Sequence, residues 1–251
     1  MNTHTQSHTQ PSSALRASDA ASGGAAAGAA DAPLATLKGS TRLITEFFEY
    51  SINAILYQRG VYPPEDFAPV RKYGLPLLRT HDPELAAYIR AVLVQVHRWV
   101  LGGKCSRLVL CVVARDDGAV RERWAFDVAR PEAEPQPSPP GEGTGGAGGV
   151  PPAETARSTD SSAGGPSVQQ QIRAVMRQIT ASVTFLPELP PGAHAFTVLA
   201  YTDAHAAVPL EWGDAADPGV QGPGTEAVQF RSFATGAHTV GVGVQYREDP
   251  L

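Results

Sequence analysis

The sequence predicts an α+β domain. Three observations carry that reading. Three segments repeat apolar residues at helical spacing, and two adjoining segments pattern as a β-hairpin. Shorter β-like runs then follow in irregular order, not in the strand–helix alternation of a parallel sheet.

The first helix is expected over Thr41–Tyr57, where Leu43, Ile44, Phe47, Phe48, Ile52, Ile55 and Leu56 recur at helical spacing. Ser40 can cap its start and Gly60 suits its end. The second runs over Asp82–Leu101, with Asp82 as N-cap and Pro83 at the first helical position, where its missing N–H costs little. Its stripe is Leu85, Tyr88, Ile89, Val92, Val96, Trp99 and Val100, and Gly102-Gly103 ends it. The third, Ser167–Val183, opens with Ser167 and Gln170 spaced as a capping box and buries Ile172, Val175, Met176 and Ile179. Arg173, Arg177 and Gln178 lie off that stripe. Arg107–Ala114 is an unbroken apolar run, expected for a strand covered on both faces. Asp117-Gly118 turns the chain into Ala119–Val128, which places Trp124, Phe126 and Val128 on one face. Ala195–Tyr201, Val228–Ala234 and Thr239–Tyr246 supply the remaining strands.

The 251 residues are 42% hydrophobic, enough for one sizeable core. The 25 glycines and 22 prolines cluster, so the folded part is shorter than the chain. Residues 1–35 are polar and then Ala/Gly-rich, and are expected to form a disordered tail because they bury too little apolar surface to offset ordering entropy. Residues 36–251 form the domain, interrupted by a flexible Pro/Gly-rich insert at 130–166. A net charge of −5 with mixed signs argues against nucleic acid or an anionic membrane as partner. No apolar run reaches the roughly 18 residues of a membrane span. Cys105 and Cys111 are the only cysteines and match no zinc or disulfide spacing, which fits a reducing compartment.

Catalytic patterns fail on context. Gly141–Gly146 matches G-x-G-x-x-G by letter but sits in the insert, without the strand and helix that let such a loop hold a pyrophosphate. The seven histidines are scattered. Asp203 and His205 are read as a turn, since nothing nearby completes a metal ligand set. Asp116, Asp117 and Glu122 are read as hairpin surface. No nucleophile, base and oxyanion donor come together, so neither an enzyme nor a cofactor is expected.

Longer strings carry more. Glu46-Phe47-Phe48, Ile52-Asn53, Ile55-Leu56-Tyr57-Gln58-Arg59-Gly60-Val61-Tyr62-Pro63, Arg71–Leu75, Glu122–Asp127, Ile172–Pro187, Tyr201–Asp203, Val208-Pro209, Glu211-Trp212 and Arg231–Phe233 occur in order. Together they closely resemble the spindle-checkpoint HORMA proteins of the mitotic-arrest-deficient family, over about residues 36–130 and 167–248.

That resemblance implies a HORMA fold: three helices on a mixed, mostly antiparallel sheet, with a mobile C-terminal safety belt. Such proteins have an open and a closed state, and in the closed one the belt wraps a partner peptide added as a strand to the sheet edge. The implied partners are a coiled-coil kinetochore receptor, the mitotic activator of the anaphase-promoting complex, a checkpoint-silencing HORMA adaptor with its ring-shaped remodelling ATPase, and a second copy in the other state. The implied locations are nucleus, kinetochore and cytoplasm. Residue by residue, Trp99 matches a tryptophan near the bound segment, and Arg177 and Gln178 match a self-association face. Leu37 matches an apolar residue that repacks between states. Phe196, Val198 and Ala200 lie on the strand that receives the peptide, and Trp212 lies in the belt, which spans about Val208–Tyr246. The chain departs from the family in its long N-terminal tail, its insert, and a Gly/Pro-rich belt stretch at Gly213–Ala227. The alternative is a sister HORMA protein, an adaptor subunit of a translesion DNA polymerase or a meiotic chromosome axis protein.

Overall fold

A computed structural model describes residues 3–8, 36–131 and 166–247. The glycine motif at 141–146, nearly all of the insert, and the tail from residue 9 to 35 lie outside the described residues. In chain order the elements are β1 (Thr3–His8), α1 (Leu37–Gln58), β2 (Phe67–Lys72), β3 (Leu75–Thr80), α2 (Pro83–Leu101), β4 (Cys105–Ala114) and β5 (Val120–Ala129). Next come α3 (Val168–Ala181), β6 (His194–Asp203), β7 (Gly213–Asp214), β8 (Thr225–Gln229), β9 (Phe233–Ala234) and β10 (Thr239–Arg247).

The main sheet runs β7-β1-β6-β4-β5-β10-β8, with β9 also on β10, and each of these pairings is antiparallel. β2 and β3 form a separate hairpin packed against α1. Tyr73 and Gly74 turn it with φ of 51° and 67°, the left-handed pair that a tight hairpin needs.

The three helices cover one face of the sheet. Phe47, Phe48, Phe126 and Phe233 meet edge-on or tilted between them, Phe47 to Phe233 at 4.9 Å between ring centres. All four are buried, and truncating one such ring to Ala costs about 3–5 kcal/mol. The expected helix caps hold at α2, where Asp82 accepts from the Leu85 N–H at 2.6 Å. They hold at α3 too, where Ser167 and Gln170 form both halves of a capping box.

Four differences from expectation have physical causes. First, α1 starts a turn early, capped by Thr36, which accepts from the Gly39 N–H at 3.1 Å. Ser40 lies inside the helix because its hydroxyl is spent on His238 Nδ1 at 2.7 Å and on Thr235, both near the C-terminus. Second, Glu122 is not surface: it is 1% exposed and shares the helix-facing side of β5 with Trp124 and Phe126. Arg59 reaches it at 2.6 Å and the Trp124 indole N–H donates to it at 3.0 Å. Burial pushes the Glu122 carboxyl above its usual range, opposed by Arg59 and Trp124. Third, Thr3–His8, expected within a disordered tail, form a strand. Their backbone gains a ladder on the β6 edge, so no apolar face of their own is required. Fourth, Val228–Ala234 is two short strands, β8 and β9, broken where the Phe230 N–H donates to the Val242 carbonyl.

Candidate functional site

The site is the β6 edge and the belt that crosses it. One side of β6 pairs with β4 over most of its length, fixing it in the sheet. Its other side carries an added antiparallel strand, β1, in the register Thr3↔Asp203 through His8↔Val198. Beyond β1 runs the belt, whose strand β7 pairs Gln6 with Asp214 and Ser7 with Gly213. A six-residue extended segment is therefore held between a sheet edge and the belt. The C-terminal hairpin of β8 and β10 sits at the far side of the sheet, on β5, which leaves the β6 edge open to such a strand.

The belt is fastened at two points. On the α2 side, the Trp99 indole N–H donates to the Ala207 carbonyl at 2.9 Å, and its ring meets Trp212 edge-on at 4.8 Å. Both tryptophans are buried. On the face away from the helices, Ala215 and Tyr201 pack on the cluster of Val109, Cys111 and Leu199. Asp217 then accepts from Arg123 Nε of β5 at 2.7 Å and from the Tyr201 hydroxyl of β6. Side chains of Arg123 and Asp217 are 9% and 8% exposed. Burial would raise the Asp217 carboxyl. Hydrogen bonds from Arg123, Tyr201 and the Gly219 N–H outweigh it and hold the group below the usual carboxylate range. The apolar run of β4 is thus covered on both faces, by helices and by belt.

Past its crossing of β6, the later part of the belt is tied to the helices. Gln178 accepts from the Arg231 N–H at 2.8 Å and Gln171 from the Ala234 N–H at 3.0 Å. His238, 1% exposed, bonds Ser40 of α1, and burial and then Arg130 push its pKa down.

The sequence-derived residues fall as follows. Trp99 and Trp212 meet each other and clasp the belt. Phe196, Val198 and Ala200 are buried in the helix-side core, Phe196 against Tyr62 and Tyr88, so β6 offers an added strand its backbone edge. Arg177 is exposed on α3, whereas Gln178 is engaged within the chain. Leu37 is 39% exposed in the first turn of α1. Asp203 and His205 make a turn, the His205 N–H donating to Asp203 at 2.7 Å. Asp217, Arg123 and Tyr201 were not anticipated. The one local signal was Asp217-Pro218-Gly219, a turn sequence whose Asp carboxylate bonds the backbone two residues on.

An edge ladder of this kind binds by backbone hydrogen bonds and selects by flanking pockets. Among the described residues no group of three or more His, Cys, Asp or Glu is placed to hold a metal ion, and no helix is long and apolar enough to cross a membrane. Cys105 and Cys111 are free and buried, and desolvation raises both thiols to about 12.

Comparison with known proteins agrees with this geometry. The HORMA domain family matches residues 40–238. The chain is 54% identical over 213 residues to the mitotic spindle checkpoint component MAD2 of Saccharomyces cerevisiae, covering 84% of this chain and 97% of that one. It is 38% identical over 212 residues to the human mitotic spindle assembly checkpoint protein MAD2A, covering 84% and 92%. A chain of the crystal structure of the mitotic checkpoint complex superposes with a TM-score of 0.67 at 38% identity, covering 84% of this chain and 99% of that one. HTP-2 of C. elegans, bound to the HIM-3 closure motif, shares the fold at a TM-score of 0.60 and 16% identity, covering 85% and 93%.

Proposed function

Because the chain belongs to the HORMA domain family and, within it, to the MAD2 spindle-checkpoint proteins, we propose that it acts by clamping extended segments of partner proteins between β6 and its belt. It is a spindle-checkpoint component. One observation supports the clamp above others: an added strand lies on β6 beneath a belt fastened at Trp99 and at Asp217. This arrangement corresponds to the closed state, in which release of the segment requires the belt to open.

In this reading the clamp does no covalent chemistry, and its work is the capture and slow release of a strand. The segments it takes come from a coiled-coil kinetochore receptor and from the mitotic activator of the anaphase-promoting complex, whose sequestration delays anaphase. An adaptor and a remodelling ATPase reopen it, and open and closed copies pair through the α3 face around Arg177. It works in the nucleus, at kinetochores and in the cytoplasm. The alternative readings, a polymerase adaptor or a chromosome axis protein, are disfavoured by the identity to MAD2 spindle-checkpoint proteins along nearly their whole length.

The test is capture from a panel of labelled peptides drawn from the kinetochore receptor, the mitotic activator and the catalytic subunit of a translesion polymerase. Slow, stable capture of the first two supports the proposal. Stable capture of the polymerase peptide alone contradicts it.

A further inference from the structure

The strand that fills the clamp comes from this same chain. Thr3–His8 pairs with β6 over six consecutive residues and is flanked on its outer side by Asp214 and Gly213 of the belt. It has the two neighbours expected of a captured partner segment. We infer that the N-terminal segment is a built-in ligand of the clamp, one that holds the slot until a partner displaces it. The inference rests on the reading of the β6 edge as the partner slot.

Three features favour the chain's own terminus as the occupant. The first is the strand itself, which runs Thr-His-Thr-Gln-Ser-His, with β-branched threonines at alternate positions and no proline until Pro11. The second is reach. Residues 9–35 connect it to α1, and a connection of that length can span up to roughly 90 Å at about 3.3–3.6 Å per residue, more than the width of such a domain. The third is composition. All six residues are polar, so the segment brings the backbone ladder that any peptide can form but no apolar side chain to anchor in the core.

The consequence is competition. A tethered ligand acts at about millimolar effective concentration, so even weak intrinsic affinity keeps it in place. A partner peptide with apolar anchors then wins on affinity but pays for the fraction of time the slot is filled. The protein rests with its belt fastened over a weak occupant and not over an empty edge, which shields an otherwise exposed strand from unselective pairing.

The experiment compares the full chain with a full-length double variant, Gln6→Pro and Ser7→Pro. Neighbouring strand residues bond to opposite sides, so this pair removes backbone donors toward both β6 and β7. Two probes are used: a labelled peptide of residues 1–12, and a labelled peptide from the mitotic activator. We expect the variant to capture the activator peptide at least about tenfold faster, as for a tethered competitor whose own affinity is about tenfold tighter than its effective concentration. We also expect the variant, unlike the full chain, to bind the 1–12 peptide in trans. Equal capture rates, with the 1–12 peptide bound by neither protein, overturn the inference while leaving the partner slot intact. Capture of no peptide by either protein removes the slot and the inference together. With Arg177→Glu added to both proteins, a chain with the native segment that runs as a dimer, and a Gln6→Pro, Ser7→Pro variant that runs as a monomer, would place the segment in a second copy and overturn the same-chain assignment. Amide exchange in β4 and β5 serves as the folding control, unchanged between the two proteins, while β6 exchanges faster in the variant.

Discussion

The Asp217 carboxylate rests on the guanidinium of Arg123, 94 residues earlier in the chain, and so buckles the belt onto the sheet. Tyr201 of β6 shares the same carboxylate oxygen. The buckle joins the belt to two strands of the sheet, β5 and β6. Asp217→Asn keeps the size of the side chain but leaves Arg123 without its counter-charge. Breaking a buried pair in this way costs about 3 kcal/mol, roughly a hundredfold in an equilibrium constant. Peptide release measured by fluorescence polarisation is expected to speed up by about that factor, with helix content by circular dichroism unchanged. An unchanged release rate would show that the belt opens elsewhere.

The same buckle sets an acid limit. The Asp217 pKa is depressed in the fold, so its contribution is complete above the unfolded value of about 3.9 and is lost as pH falls through the lower folded value. Release by the wild type is expected to accelerate below about pH 4, whereas Asp217→Asn should show a flatter profile there.

A second titration acts nearer neutrality. Burial and then Arg130 lower the His238 pKa in the fold, while its unfolded value is about 6.5. Below that value the unfolded chain binds more protons than the folded one, so stability falls as pH falls. The ties of His238 to Ser40 and Thr235 should loosen first. Amide exchange across Thr235–Val240 is expected to rise between pH 7.5 and 5.5 beyond the intrinsic trend, and His238→Gln should lose most of this excess.

How much of this was legible in the sequence depended on how local its cause was. The Asp82 cap and the α2 stripe need only neighbouring residues, and both were read correctly. Ser40 looks like a cap, yet its partners lie nearly two hundred residues away, so no local pattern could place it inside α1. Glu122 has the same strand parity as Trp124, but its charge suggested surface. The cation that permits its burial, Arg59, comes from the other end of α1. The belt stretch Gly213–Ala227 reads as Gly/Pro-rich, whereas its fastening at Asp217 is ionic and its partner Arg123 lies 94 residues away. β1 has no apolar pattern because its bonds are supplied by β6.

The α3 face gives a separate prediction. Arg177 is exposed on α3. Arg177→Glu is expected to give a monomer by light scattering at concentrations where the wild type self-associates, with activator-peptide capture unchanged. Unaltered association would remove Arg177 from the interface.

The buried pair of Arg59 and Glu122 joins the end of α1 to β5. Glu122→Gln leaves a buried cation unpaired and is expected to lower stability by about 3–5 kcal/mol in urea melts, while Asp117→Asn on the exposed turn should change it little.

The most direct test of the clamp is the lifetime of a bound activator peptide in the full chain and in a chain lacking residues 242–251. That truncation removes most of the β10 ladder to β5 and β8, which anchors the end of the belt. Slow release by the full chain and rapid release by the truncated one are predicted. Equally slow release from both would contradict the belt as the element that holds the peptide.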